Sequence, residues 1–421
     1  MLRIVVQAAL AAVLSLAGVH GLAAEDLSGT LTVWDWQYTS EKWGAALKQI
    51  DAEFIEAHPG VTITHVGQPN DTYYQLIQAA NSSATGPDVA MMHAGTFGVL
   101  KYTESLEPLN DRITPEMRAT IKGWESVGVG FDPNGTILGV PGSLSGWVFY
   151  YNKALFKKAG LDPDKTPVTF DDLVAAAKQL KAAGIVPFGG GNADGWGNLQ
   201  YLNILFPATF DTAQSQALAT GKVKYNDAAF RTVNEQLIML LKDYFDPGYA
   251  STVLWTEGVA AFNAGQAAII AGIASDTVSF NEFLPELGDN LGVFYAPAGA
   301  AAHPYIPVSS GPVWSMTKYA KNKDLAWAYL QFLTGPRGAE IQNQTAGVLP
   351  INSAYKLPDS APAFVRNMLN DLQTRDTFLY ASSLMKQDVA FDWVRKIQDV
   401  TNGVTSLDDA LNQLQAVQEK N

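Results

Sequence analysis

Gly139-Val140-Pro141-Gly142-Ser143-Leu144-Ser145-Gly146-Trp147-Val148-Phe149-Tyr150-Tyr151-Asn152-Lys153-Ala154-Leu155-Phe156-Lys157-Lys158-Ala159-Gly160 is the stretch on which the reading of the whole chain turns. It starts as the end of a strand and passes through a Gly/Ser/Pro segment able to bend. An apolar and aromatic strand follows, then a short helix stopped by Gly160. Such a passage carries a chain from one lobe into another. Ser143, Ser145 and Trp147 on it would furnish the floor of a cleft between the two.

Upstream, Leu31-Thr32-Val33-Trp34 alternates as a strand should, and residues 40–57 place Trp43, Leu47, Ile50 and Phe54 on one helical face. His58-Pro59-Gly60 ends that helix and residues 61–66 form a second strand, giving a β-α-β unit and a parallel sheet. The segment 35–39 therefore lies at the carboxyl end of a strand, where open α/β sheets usually hold ligands. Asp71 is placed to cap a helix running to residue 81. A short buried strand over 89–92 then leads to His93-Ala94-Gly95-Thr96, a second strand end of the same kind. Residues 127–131 and 136–140 flank Asp132-Pro133-Asn134-Gly135, a hairpin turn signal.

Downstream a new α/β pattern begins. Thr169-Phe170-Asp171-Asp172 reads as a capping box with Asp in place of Glu, and its helix runs to Gly184. A strand over 185–188 opens into a loop, 189–198, holding Asn192, Asp194 and Trp196. Residues 213–244 are mainly helical, and a strand over 267–272 ends in Ile273-Ala274-Ser275-Asp276. Ser309-Ser310-Gly311-Pro312 breaks a strand spanning 305–316 and reads as a crossing back to the first lobe. Leu349-Pro350-Ile351 reads as a third crossing, and helices close the chain. The expected division is a signal peptide over 1–24, the first lobe over 25–140 and 309–352, and the second lobe over 141–308 and 353–421.

The composition fits two packed lobes: 421 residues, 47% hydrophobic and only 16% charged. A net charge of −13 argues against nucleic acid, whose phosphates such a chain would repel. The absence of cysteine removes disulfides, thiolate catalysis and thiolate metal sites. Arg3, the apolar run over 8–19 and the small residues Gly21, Ala23 and Ala24 make a cleavable export signal, cut after Ala23 or Ala24.

Catalytic patterns are missing where they would be looked for. Gly189-Gly190-Gly191 lacks the spacing of a phosphate-binding loop, and Leu144 stands where the nucleophile of a hydrolase elbow would be in Gly142-Ser143-Leu144-Ser145-Gly146. The histidines show no ligand pairing, so neither a metal nor a cofactor is expected. A pair of carboxylates suffices for a glycosidase, which keeps a secreted glycoside hydrolase open. The positive signal is aromatic: Trp34 and Trp36 flank Asp35, and Trp147 and Trp196 sit near strand ends among Gly, Ser, Asn and Asp. Sugars suit that surface, since their C–H faces stack on indoles and their hydroxyls pair with carboxylates, amides and hydroxyls. Lys153 and Arg366 leave an anionic ligand open.

In its order of segments the chain resembles the family 1 extracellular solute-binding proteins, the maltose-binding-protein-like receptors of ABC importers. The resemblance rests on Trp34-Asp35-Trp36, Gly86-Pro87-Asp88-Val89, Tyr151-Asn152-Lys153-Ala154-Leu155-Phe156 with Ala159-Gly160-Leu161, and Thr169-Phe170-Asp171-Asp172-Leu173. It extends to Phe262-Asn263-Ala264-Gly265-Gln266-Ala267-Ala268 and Gly347-Val348-Leu349-Pro350. It implies a type II periplasmic binding fold of two α/β lobes joined by hinge crossings, with a sugar in the cleft and no catalytic residues. The partners it implies are a small sugar and the transmembrane subunits of an ABC permease, for a monomeric periplasmic protein. By similarity His93 and Thr96 occupy the first-lobe ligand loop, Ser143, Ser145 and Trp147 the crossing, Trp196 the second-lobe aromatic loop and Asp276 a polar strand end. Trp34, Asp35, Trp36, Asp71, Asn192 and Gly311 complete the expected binding set. Gly95 and Thr96 stand where maltose receptors carry acidic and Arg contacts, so a smaller sugar or glycoside is expected before maltodextrin. An anionic sugar or polyol derivative, such as glycerol phosphate or a sulfonated glycoside, is the alternative ligand.

Overall fold

A computed structural model describes residues 27–69, 72–274, 279–298, 306–375 and 377–420. The segment expected to be an export signal, Asp71 and Asp276 lie outside them. Strand β1 (Ser28–Asp35), the helix Glu41–Ala57 and β2 (Gly60–Gly67) form the β-α-β unit read from the sequence, with β1 and β2 parallel from Ser28↔Gly60 to Asp35↔Gly67. The helix buries Trp43, Leu47, Ile50 and Phe54, the stripe its periodicity marks. Strand β3 (Val89–Met92) pairs parallel with β1, and the two carboxyl ends lie side by side.

The chain then reaches β4 (Val140–Pro141) and β5 (Leu144–Asn152). Only two residues separate them, yet they belong to different sheets. The remaining strands are β6 (Val186–Phe188), β7 (Ala267–Ile273), β8 (Leu291–Phe294), β9 (Ile306–Ser310), β10 (Val313–Met316) and β11 (Thr377–Phe378). The first sheet runs β2-β1-β3-β10-β4, and the second runs β11-β9-β5-β7-β6 with β8 also on β5. Strand β5 is buried along its whole length. Val148 and Tyr150 enter one hydrophobic cluster while Trp147, Phe149 and Tyr151 enter the other, the two-residue alternation of a strand covered on both faces.

The segments between β4 and β5 and between β9 and β10 run alongside each other. The Gly142 N–H donates to Pro312 O at 2.8 Å and the Gly311 N–H donates to Ser143 O at 2.8 Å. A Cβ at Gly311 would lie 2.3 Å from Ser143 Oγ, so glycine is what permits this approach. Asn352 makes a bridge to Ile121, and the following helix, Ala363–Thr374, sets Met368 against Tyr150 of β5.

Two local expectations are modified. The signal over 132–135 does bring 127–131 and 136–140 together, but through the single bridge Gly128↔Ile137 rather than a ladder. Gly130 and Phe131 adopt φ of 74° and 59°, which folds Val129–Phe131 into a 3-10 turn that buries the Phe131 ring. Trp196, expected in a loop, is the first residue of the buried helix Trp196–Leu205. The predicted capping box is present: Thr169 Oγ1 accepts from the Asp172 N–H at 3.1 Å and Asp172 Oδ2 accepts from the Thr169 N–H at 2.9 Å.

Candidate functional site

The two lobes meet across a cleft and are closed on it. Lys42 reaches Glu282 at 3.3 Å, Lys101 reaches Asp388 at 3.7 Å, and Thr96 Oγ1 donates to Ser383 O at 3.2 Å. Gly95, with φ of +67°, packs so closely that a Cβ there would lie 1.9 Å from Ser383 O.

Inside the cleft is a chamber of about 320 Å³. The first lobe supplies Trp36 and Gln37 just past β1, and His93, Ala94 and Phe97 just past β3. Both groups stand at carboxyl ends of parallel strands, where peptide geometry leaves the loops free to face a ligand. Ser145 and Trp147 come from β5, Ile273 from the end of β7, and Gly311 and Pro312 from the segment between β9 and β10. Trp196, Trp255, Tyr380, Ser382 and Ser383 close the second-lobe wall. A larger outer chamber of about 730 Å³ shares His93, Phe97, Trp196 and Trp255 and adds Lys101, Asp194, Asp388 and Phe391.

Aromatic rings build most of this wall. Trp36 stacks on His93 at 4.5 Å and 8°, His93 meets Phe97 edge-on at 5.1 Å, and Phe97 continues to Trp196 at 6.2 Å. Trp147 stands perpendicular to Tyr380 at 5.9 Å. Among the described residues, no lysine, arginine, aspartate or glutamate lines the inner chamber. Its one titratable imidazole, His93, is held near pKa 4 by burial and is neutral at physiological pH. Tyr74 Oη lies 2.8 Å from His93 Nδ1. Trp147 is 7% exposed and its buried Nε1–H has no hydrogen-bond partner among the described residues.

Trp36, His93, Ser145, Trp147, Trp196 and Gly311 of the expected set are thus brought together. The remaining described ones are placed elsewhere. Trp34 packs against the core, half-buried, and Ser143 Oγ sits under Gly311 in the crossing. Thr96 bridges to Ser383, as above. Asn192 is consumed in bracing its own loop: its Nδ2 donates to Gln398 Oε1 at 3.1 Å and its Oδ1 accepts from the Asn198 N–H at 2.8 Å. Asp35 is fully buried below the cavity, where Oδ1 accepts the N–H groups of Gln37 and Tyr38 and Oδ2 meets His65.

Gln37, Phe97, Trp255, Tyr380, Ser382 and Ser383 line the chamber without having been expected. Trp255 lies in a π-helical turn, Leu254–Gly258, a distortion that recurs at functional sites, but its sequence carries no distinctive signal. Tyr380 to Ser383 come from the last quarter of the chain, and only the fold brings them to a cleft opened by residue 36.

A family model described as bacterial extracellular solute-binding protein matches residues 39–340. An uncharacterized ABC transporter extracellular-binding protein of Pyrococcus horikoshii is 26% identical over 245 residues, covering 57% of this chain and 54% of its own. The chain spans just over half the length of that relative. An sn-glycerol-3-phosphate-binding periplasmic protein of Yersinia enterocolitica is 27% identical over 362 residues, 81% of this chain and 79% of its own. Among solved structures, a chitin oligosaccharide binding protein superposes with a TM-score of 0.77 at 23% identity, covering 93% of this chain and 98% of that one.

Proposed function

From the premise that the chain belongs to the bacterial extracellular solute-binding protein family, we propose that it captures a neutral carbohydrate in its cleft and delivers it to an ABC permease. Membership in a family of receptors sets aside the glycoside hydrolase. The observation that carries the sugar reading is the inner chamber itself, walled by Trp36, Trp147, Trp196 and Trp255 with no formally charged side chain among its described lining residues. Indole faces match the C–H faces of a pyranose, and the Ser145, Ser382 and Ser383 hydroxyls, the Gln37 amide and the Trp147 Nε1–H match its hydroxyls.

The likeness to the glycerol-phosphate receptor makes an anion the natural rival. A phosphate taken out of water needs charge-assisted hydrogen bonds, best from Arg or Lys. Lys101, the cationic side chain among the described lining residues of the two chambers, lies in the outer one and is spent on Gln387 and Asp388. This composition favours a neutral ligand. A micromolar complex requires roughly 8 kcal/mol, within reach of stacked rings and several hydrogen bonds after the cost of association.

Closure is the working motion. A ligand touching both walls binds the closed form better than the open one, and that difference shifts the population. We assign the paired segments 141–144 and 310–313 as hinge strands, and read the protein as a periplasmic monomer. Calorimetry against galactose, tagatose, raffinose, xylobiose, N,N′-diacetylchitobiose and glycerol 3-phosphate tests the reading, with tryptophan fluorescence as a second signal. At least one neutral sugar is expected to bind and quench; binding of glycerol 3-phosphate with no response to any sugar would overturn it.

A further inference from the structure

Beneath the loop that carries Trp36 and Gln37 lies a buried charge cluster. His65 of β2 has a side-chain exposure of 1%, Asp35 of β1 of 0% and Asp51 of the helix Glu41–Ala57 of 9%. Nδ1 of His65 is 2.8 Å from Asp51 Oδ2, and Nε2 makes a short hydrogen bond to Asp35 Oδ2. A neutral imidazole has one N–H and one lone pair, and an ionised carboxylate only accepts. Only the doubly protonated ring donates to both aspartates at once.

The outer oxygens of the two carboxylates are occupied as well. Tyr329 donates its hydroxyl to Asp51 Oδ1 at 2.6 Å. Asp35 Oδ1 accepts the backbone N–H of Gln37 and, at 2.5 Å, that of Tyr38. The Tyr38 ring in turn stacks on His65 at 4.0 Å, with Lys48 Nζ 5.4 Å from that ring and Trp314 edge-on to the imidazole at 6.5 Å. His65 therefore fixes the Asp35 carboxylate, and the carboxylate fixes the turn that presents Trp36 and Gln37 to the chamber.

We propose that His65 is the positioning residue of the first-lobe ligand loop, and that losing its proton releases the loop and weakens ligand capture. The capture half of this inference rests on the carbohydrate reading above; the loop half does not. Desolvation pulls against the charged ring, but its hydrogen bonds to Asp35 and Asp51 and their negative charges outweigh it and hold the value above the ordinary 6.5. With the folded value raised, the support is complete below pH 6.5 and is lost as the pH rises through the folded value.

The test uses the full chain with no ligand first. Hydrogen exchange reads the Gln37 and Tyr38 amides, and nitrogen-detected NMR reads the protonation of the His65 ring. In the wild type both ring nitrogens are expected to be protonated at pH 6.5, and the two amides to lose up to about tenfold protection per pH unit above the folded value, the slope for one proton. His65→Gln, whose two N–H groups sit on one nitrogen and cannot span the two carboxylates as the two ring nitrogens do, should leave both amides about tenfold or more less protected below the folded value and show no alkaline loss. Asp51→Asn should keep them protected and flatten the profile, because a neutral ring can then donate from Nε2 to Asp35 and accept at Nδ1 from the Asn amide. It also covers the case in which His65→Gln fails to fold. A neutral ring at pH 6.5, or the wild-type alkaline loss persisting in Asp51→Asn, would overturn the proposal. The second arm measures affinity for raffinose, xylobiose and N,N′-diacetylchitobiose across the same pH range. Loop protection that follows His65 while none of these sugars binds supports the positioning role and counts against the carbohydrate reading. Sugar binding that ignores both variants, with a loop equally indifferent, supports that reading and removes the role of His65.

Discussion

Replacing Gly95 with Ala should separate closure from stability. Two costs arise from the structure. The backbone at φ +67° is left-handed, which for a residue with a Cβ costs about 1–2 kcal/mol in any state that keeps this turn. The second cost belongs to the closed state alone: the new Cβ would stand 1.9 Å from Ser383 O across the cleft, and real contacts begin near 3.0 Å, so the lobes must back away by about 1 Å. That displacement stretches two or three ligand hydrogen bonds beyond useful length. At about 1 kcal/mol each, the loss is about 2–3 kcal/mol, or roughly 30- to 150-fold in Kd. Gly130→Ala is the matched control, since Gly130 has φ of +74° and nothing within 4 Å of its Cβ. It should lose comparable stability in a thermal melt while binding the tightest sugar of the panel as the wild type does. Equal affinity of Gly95→Ala and wild type, or an equal loss in Gly130→Ala, would refute the closure argument.

Trp147→Phe, which keeps a ring but removes the unpartnered Nε1–H, should weaken sugar binding about 3- to 10-fold by calorimetry with little change in melting temperature. Burial depresses His93 to about 4. The unfolded chain therefore binds more protons between pH 4 and 6.5, and stability should fall as the pH drops across that window. The loss is on the order of 3 kcal/mol, and His93→Asn should remove it in urea melts at a series of pH values. Glu53, held near 2 by its hydrogen bonds to Arg337, stabilises above its ordinary carboxylate range and loses that contribution as the pH falls toward 2. Glu53→Gln should therefore lower the melting temperature at pH 7 and leave it unchanged at pH 2. Gly311→Val should slow or block lobe movement, seen as a compact-to-extended change in small-angle scattering that no longer responds to ligand.

The elements with strong periodicity were legible. The β-α-β unit and the capping box at Thr169 follow from residues that interact within a few positions, so sequence alone specifies them. The crossing at Gly142 was legible because Gly, Ser and Pro interrupt an apolar strand on one side only. The binding wall was half legible: Trp36 and His93 follow strand ends that the pattern marks, and Trp147 lies in the strand that leaves the crossing. Asp35 shows where such reading fails. A carboxylate between two tryptophans looks like a sugar ligand, but it is drawn inward by His65, thirty residues away in the chain. Tyr380, Ser382 and Ser383 had no local signal, since their role exists only once the second lobe closes on the first.

Strand β10 has a consequence for how the molecule comes into being. It lies between β3 and β4 in the first sheet, yet the other four strands of that sheet are complete by Pro141 and β10 begins at Val313. A chain emerging from its amino end thus presents a first lobe with a gap in the middle of its sheet, and β3 and β4 wait with open edges while the whole run of β5 to β9 appears. Filling that gap is a long-range pairing with a high entropic cost of closure, of the kind that makes folding slow. The topology delays completion of the first sheet until most of the polypeptide has emerged.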